Sequence, residues 1–420
     1  MPTTDPLNPA EQPTVFQKLL EPVERFVQEQ SQQLPKHPKE KYTYEAFFRL
    51  LIYYFVSGSK SLKLLINAQL NLGLLPAALG LQPVPYSTCQ EAFERFSPRL
   101  FQAVFQHLLS TVSFKAIPEL ATLGTVCCID GSLFPVISSM LWAAYTTHHQ
   151  ALKLHLCFEL NRMIPVDFWV GSGNSSERQA LRRLLTAGVT YIADRGYMSF
   201  QLCYDLCQAQ AHFLFRTKTN LCFTGVESLP VVLPAAAQQL FQAVTDELIR
   251  YDNDPHHALY RLVRLVIFQE TYFLLTDRQD LTTFQIILLY AYRWQVELLF
   301  RFLKRTLTGI HLIRHDQRGV TIQFYALLIT ALLELHLKQL ILEQHESQAH
   351  QDASKPSHPR APKAPPKTPP RGRIEGVEFV TWLNKKLQKY WKIGIHWLTA
   401  LRNLLVCPFD EKAIGILSTL

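Results

Sequence analysis

Tyr290, Arg293, Glu297 and Lys304 follow one another at steps of three, four and seven in the stretch YAYRWQVELLFRFLK. At 3.6 residues per turn, those steps carry the four side chains along one broad side of a helix. A lone carboxylate is thereby set among a phenol and two cations. The apolar residues between them, Val296, Leu298, Leu299, Phe300 and Leu303, can bury the same helix against a core. A carboxylate offers a hard oxygen to a divalent cation and the cations can grip phosphate, so the chemistry in view is metal-assisted work on a phosphodiester.

Two more acids stand where such a site needs partners. Asp130 follows a hydrophobic strand in CCIDGS and Asp194 follows another in YIADRGY, each where the strand is expected to meet solvent. With Glu297 they make a trio. Two magnesium ions bridged by a carboxylate can activate a water or a 3′ hydroxyl and stabilise the leaving oxygen, which is phosphoryl transfer without a protein nucleophile. Asp167, Glu177 and Asp277 compete for the same role. Asp277 adjoins Arg278 and reads as half of a surface ion pair, while Glu177 suits the first turn of a helix. Cys203, Cys207 and His212 read as core residues rather than a zinc site, because no fourth ligand is evident. His148, His149 and His155 are a poor zinc set, since the first two point apart on an extended chain.

These elements form an ordered series. TVCCID, FPVIS, LKLHLCFEL and MIPVDFWV read as strands, residues 177–185 as a helix, and residues 189–193 as a fifth strand. Acids at the ends of such strands suggest an α/β (α+β) architecture of the ribonuclease-H-like kind. Residues from about 213 to 280 are strand-rich, with ALYRLVRLVIF and TYFLLT as antiparallel partners.

The run Tyr290-x2-Arg293-x3-Glu297-x6-Lys304 resembles the YREK signature of bacterial insertion-sequence transposases, the family named after insertion sequence four, with a DDE active site. Trp294 stands where many members carry tryptophan. DGS and DRGY resemble the family's two aspartate blocks, and LKLH (Lys153, His155) and FRTK (215–218) its flanking strands, so the resemblance covers roughly Val126 to Lys304. It implies that Asp130, Asp194 and Glu297 are the catalytic metal ligands for two Mg2+ or Mn2+ ions. Tyr290, Arg293 and Lys304 would hold phosphates near the cleaved end, with Trp294, Arg195 and Arg301 as further DNA contacts. The implied activity is cut-and-paste transposition, in which terminal inverted repeats are bound and cleaved and the 3′ ends joined to target DNA. The implied partners are double-stranded DNA and a second copy of the chain in a synaptic complex, at the nucleoid of a prokaryotic cytoplasm. A β-rich insertion before the glutamate is also characteristic of the family. Members that use a hairpin intermediate stack a flipped base on an aromatic there, often tryptophan. No tryptophan lies between Trp169 and Trp294, so Phe223, Tyr251, Tyr260 or Phe268 would have to serve.

Two other functions share these features. A catalytically silent DNA-binding inhibitor or domesticated remnant does not need the intact trio. A metal-dependent nuclease on the same fold needs the trio, but not Tyr290, Arg293 and Lys304 together.

The rest of the chain frames this core. An apolar fraction of 48% over 420 residues suits a globular protein of two or three domains. The net charge of +8 favours nucleic acid over an anionic membrane surface as partner. Eight cysteines without a CxxC pair read as reduced, intracellular thiols. The first twenty residues lack the apolar and basic features of a secretory signal. The apolar segment 322–342 contains Glu334, His336 and Lys338 and is expected to be a buried core helix rather than a membrane span.

The expected organisation begins with a helical unit over 1–115. Within it Ser87 caps a helix that presents Arg95 and Arg99, either for helix-turn-helix recognition of DNA or as a solvated basic face. A catalytic domain over 120–345 follows. A linker over 347–373 comes next, with seven prolines and six Lys/Arg between Ser354 and Arg373. A helical segment over 374–420 carries Trp382, Trp391 and Trp397.

Overall fold

In the computed structural model the described residues are 12–35, 42–114, 116–117, 120–146, 149–238, 241–267, 269–308, 312–353, 397 and 400–418. They divide into two compact units, one built on Ala116–Lys304 and the other on the described parts of 1–115, 305–371 and 388–420.

The first unit is organised by a single mixed sheet. Its strands are β1 (Thr125–Pro135), β2 (Ala151–Glu159), β3 (Ile164–Ser172), β4 (Val189–Ala193), β5 (His212–Arg216), β6 (Phe223–Ser228), β7 (Ala243–Tyr251), β8 (Tyr260–Ile267) and β9 (Glu270–Thr276). Their spatial order is β3-β2-β1-β4-β5-β9-β8-β7-β6. β2 pairs antiparallel with both β1 and β3, β4 and β5 run parallel to β1, and β9, β8, β7 and β6 each pair antiparallel with the strand before them in the sheet. β4 reads VTYIA and every residue of it is buried, as expected of a parallel strand covered on both faces. The expected pairing of ALYRLVRLVIF with TYFLLT is present as β8 against β9. One face of the sheet packs into a core through Cys127, Ile129, Tyr191, Ala193, Phe213 and Phe215, together with Leu202 and Leu206 of the Phe200–Gln208 helix.

Two expectations about this sheet are corrected. The Gly-Ser break and separate FPVIS strand are absent, because β1 continues through Gly131 and Ser132 and stays paired with β2 from Cys127↔Glu159 to Pro135↔Ala151. Gly131 marks a close approach rather than a turn: a Cβ there would stand 2.9 Å from Lys153 Cε and 3.0 Å from His155 Nδ1. The single helix expected over 290–304 is divided into Thr283–Tyr292 and Trp294–Thr308. At the joint the N–H of Arg293 donates to the carbonyl of Tyr290, and the N–H of Val296 to that of Arg293, both three residues apart. That tightened turn interrupts the α ladder at Arg293 while its backbone stays helical.

The second unit is helical, with Val15–Gln33, Tyr44–Ser57, Tyr86–Arg95, Pro98–Thr111, Gln317–Ala353 and Glu411–Ser418. Gln317–His345 is long and apolar enough to cross a membrane, but most of it is buried against the other helices of this unit, in agreement with a core helix. Trp397 is buried here too and donates its indole N–H to Leu417. Ser87 is not a cap, since its helix starts at Tyr86 after Pro85. Arg95 and Arg99 lie on different helices. Pro98 and the extended Ser97 before it end one helix and start the next, where Ser97 is the cap. All eight cysteines are free. The basic, proline-rich stretch, Trp382, Trp391, Phe268 and His148 lie outside the described residues.

Candidate active site

Sheet register sets the two aspartates level. Cys128 of β1 pairs with Ile192 of β4, so two residues further along Asp130 and Asp194 share a level and, by the two-residue alternation, a face. Parallel pairing with β4 ends at Cys128↔Ile192, whereas pairing with β2 runs on to Pro135. Asp130 therefore sits within β1 and not at its end, where the sequence had put it, and reaches solvent because its β4 neighbour has stopped. Asp194 directly follows β4. Each carboxylate accepts the N–H of the next residue, Gly131 for Asp130 and Arg195 for Asp194, both at 2.8 Å.

The tightened joint between the two helices aims Tyr290, Arg293 and Glu297 at this pair. Arg293 Nη2 lies 3.1 Å from Glu297 Oε1 and Nη1 lies 4.0 Å from Asp130 Oδ2. The Tyr290 hydroxyl donates to Asp194 Oδ1 at 3.4 Å, and its ring lies 5.7 Å from the guanidinium. Burial works against the charge on Arg293, yet Tyr290, Asp130, Asp194 and Glu297 outweigh it and hold its pKa above the ordinary value. Burial also pushes Asp130 up to about 6; the Gly131 N–H and Arg293 oppose that rise, and the charges of Glu297 and Glu177 add to it. Tyr290 is pushed up to about 12, again chiefly by burial. Acids 64 and 103 residues apart along the chain thus face one guanidinium.

The other expected contacts are more dispersed. Lys304 reaches the ring of Phe134, four residues beyond Asp130 on β1, with its Nζ 5.5 Å from the centroid. Arg195 and Arg301 are exposed, and Trp294 is 40% exposed. Phe223 is partly buried, while Tyr251 and Tyr260 are core residues.

Glu177 is a neighbour that the sequence alone did not place at the site. It lies in the first turn of its helix as expected, but it also binds Lys153 Nζ at 2.9 Å and crowds the Asp194 loop. A Cβ on Gly196 would stand 2.2 Å from Glu177 Oε2, so this glycine serves close approach rather than an unusual φ. Tyr197, whose buried hydroxyl has no hydrogen-bond partner, has its pKa raised by burial and then by Asp130 and Glu177. A glycine two residues after an acid, in DRG, was the available clue. The remaining candidates are structural. Asp277 binds His212 at 2.6 Å and the Phe213 N–H at 2.9 Å, and Arg278 pairs with Asp280 instead, correcting the expected Asp277–Arg278 ion pair. Of the residues expected in the core, Cys203 belongs to it, whereas Cys207 is exposed and His212 is partly exposed against Asp277. His155 is buried between Ser175 and Trp169, and burial, followed by the Lys153 charge, lowers its pKa to about 3.

In donor type the trio suits a hard divalent cation, since three carboxylates offer oxygen and Asp130 is poorly compensated. In spacing it does not yet do so: among the described residues no three His, Cys, Asp or Glu side chains are grouped to hold an ion. The guanidinium of Arg293 bridges Asp130 and Glu297 in its place.

The chain is similar to several known proteins. A transposase-like protein of Sinorhizobium fredii, y4zB, is 26% identical over 262 residues, covering 60% of this chain and 73% of that one. Two solved structures overlap more loosely. A piggyBac transposase synaptic complex with hairpin DNA covers 96% of this chain and 82% of its own, at 10% identity and a TM-score of 0.39. An endonuclease V from Bacillus subtilis covers 51% and 96%, at 13% identity and a TM-score of 0.24. The profile of the transposase DDE domain matches residues 122–333, half of the chain and a span holding both aspartates, Glu297 and the helix joint. The chain belongs to the transposase DDE domain family.

Proposed function

We propose that this chain is the DNA transposase of an insertion sequence, of the group marked by the YREK signature, and that it cuts and rejoins DNA at Asp130, Asp194 and Glu297. The observation that carries the reading is the convergence of Asp130, Asp194, Glu297 and Tyr290 around Arg293. The strand order β3-β2-β1-β4-β5, with β1 parallel to β4 and β4 to β5, supports a ribonuclease-H-like core. β5, which the insertion expected over about 213–280 included, pairs parallel with β4 and goes with the core, so β6 to β9 would form the β-rich insertion.

Asp130, Asp194 and Glu297 would hold the divalent ions, Mg2+ or Mn2+, which when bound lower the pKa of the attacking water or 3′ hydroxyl and neutralise the leaving oxygen. The chain's own residues position the DNA. The level register of β1 and β4 keeps the two aspartates on one face. Tyr290 fixes Asp194 by its hydroxyl, and Lys304, Arg301 and Arg195 supply phosphate contacts along the same unit. Trp294, exposed beside the joint, is a further DNA contact. With Tyr251 and Tyr260 in the core, Phe223 is the described one of the four candidate aromatics left to stack a flipped base if a hairpin forms. The substrates are terminal inverted repeats and target DNA, two chains act together on two ends, and the reaction takes place in the prokaryotic cytoplasm.

The test uses a labelled duplex carrying the inverted repeats that flank the reading frame, incubated with magnesium and either this protein or its D194A variant. Joined product that D194A abolishes is expected. Cutting without joining would instead identify a nuclease, and binding with no product a silent DNA-binding protein.

A further inference from the structure

We infer that Arg293 is an internal counter-ion, which bridges Glu297 and Asp130 beside Asp194 until a divalent cation displaces it and frees its guanidinium for DNA phosphate. The inference rests on the acid assignment proposed above. Three features of the geometry carry it. The guanidinium lies 3.1 Å from Glu297 and 4.0 Å from Asp130, so one cation bridges two of the carboxylates that would ligate an ion. Among the described residues, no trio of acids is closed around an ion position while it does so. Arg293 also sits at the joint between two helices, the residue at which the α hydrogen-bond ladder is interrupted.

The charges explain why the contact is replaceable. Facing the guanidinium are Asp130 of β1, Asp194 after β4, Glu297 of its own helix and the Tyr290 phenol. Three carboxylates against one cation leave a net negative site. A divalent ion compensates that charge more fully than a guanidinium does, and it binds oxygen directly at short range. Arginine in turn suits phosphate, which it can grip with two parallel hydrogen bonds. Ion binding and end binding should therefore reinforce each other, by the same factor in both directions.

The test measures Mn2+ binding by the full chain without DNA, from the paramagnetic resonance of free Mn2+, for wild type, R293Q, R293K and D194A. Removing a competing charge at this range is expected to tighten Mn2+ binding in R293Q about tenfold, while R293K, which keeps the charge, stays close to wild type. A second measurement compares affinity for the terminal duplex in Ca2+ and in chelator; the gain from Ca2+ should be several-fold larger in wild type than in R293Q. R293Q that is unfolded alone but folds on adding Mn2+, by circular dichroism, also supports the inference. If R293Q does not fold in either condition, R293K decides through the duplex measurement: a Ca2+ gain like that of wild type supports a displaced cation, and no gain overturns it. Equal Mn2+ affinity in wild type and R293Q, with binding weakened by D194A, overturns the counter-ion role and leaves the acid assignment standing. Mn2+ binding indifferent to D194A overturns both.

Discussion

Two arginines of the same unit face acids, and they do so in opposite ways. Arg261 meets Asp246 with both Nε and Nη2, at 2.9 and 2.6 Å, and both side chains are almost wholly buried. Its remaining nitrogen donates to carbonyls of the 278–281 turn, including Leu281, and Thr283 donates to Asp246 at 2.7 Å. One cation answers one anion, and neighbours absorb the other hydrogen bonds. Arg293 instead contacts two acids at longer range, Glu297 and Asp130, each about a quarter exposed, and feels the charge of a third, Asp194. The closed pair has nothing left to offer a ligand, and it ties β7 and β8 to the start of the helix bearing Tyr290. The open cluster carries excess negative charge, and a divalent ion or a changed conformation can relieve it. Within one sheet, the balance of charge separates a brace from a site.

That contrast can be broken from either side. The largest effect is expected from E297Q, which removes one ligand charge at nearly constant volume. Cleavage of the terminal duplex should fall roughly a thousandfold while DNA binding stays within about twofold; retained cleavage in a gel assay would remove Glu297 from the reaction. Next comes R261M, which leaves Asp246 as an uncompensated buried charge. A loss of about 3–5 kcal/mol in urea unfolding is expected, and a loss below about 1 kcal/mol would show that the pair is no brace.

A buried carboxyl sharpens the comparison in the helical unit. Burial raises Glu334 to about 8, partly offset by the Arg402 charge. Between the ordinary carboxylate pKa and about 8 the folded chain holds a proton that the unfolded chain releases, so stability should fall as pH rises through that window. A decline of about 3–4 kcal/mol is expected between pH 5 and 8. E334Q should flatten it in chemical denaturation followed across pH, and an unchanged slope would assign the decline elsewhere. The smallest effect is expected from K304A: duplex affinity should weaken, with the slope of log affinity against log salt reduced by about 1. An identical slope would take Lys304 off the DNA.

Much of the candidate site was legible from residue types and spacing. Hydrophobic runs ending in Asp130 and Asp194 identify strands, because burial on both faces demands unbroken apolar side chains. The steps between Tyr290, Arg293 and Glu297 identify a helical face, because 3.6 residues per turn brings them round together. Those rules are local, and so are their errors. They read Gly131 as a break, because a glycine demanded by a neighbouring strand looks the same in sequence as one demanded by a turn. They joined 290–304 into one helix, because periodicity cannot register a single tightened turn.

Pairing across long separations was decided only in three dimensions. The chain's order shows that Asp130 precedes Asp194, but the parallel register of β1 and β4 makes them level. No spacing rule brings Glu177 beside Gly196, draws Asp277 to His212 rather than Arg278, or sets Arg293 among three acids. The sequence by itself determined which residues could do the chemistry, because side-chain type and local periodicity are written along the chain. Tertiary structure decided which of them share charge, because Coulomb attraction depends on distance in space and takes no account of distance in sequence.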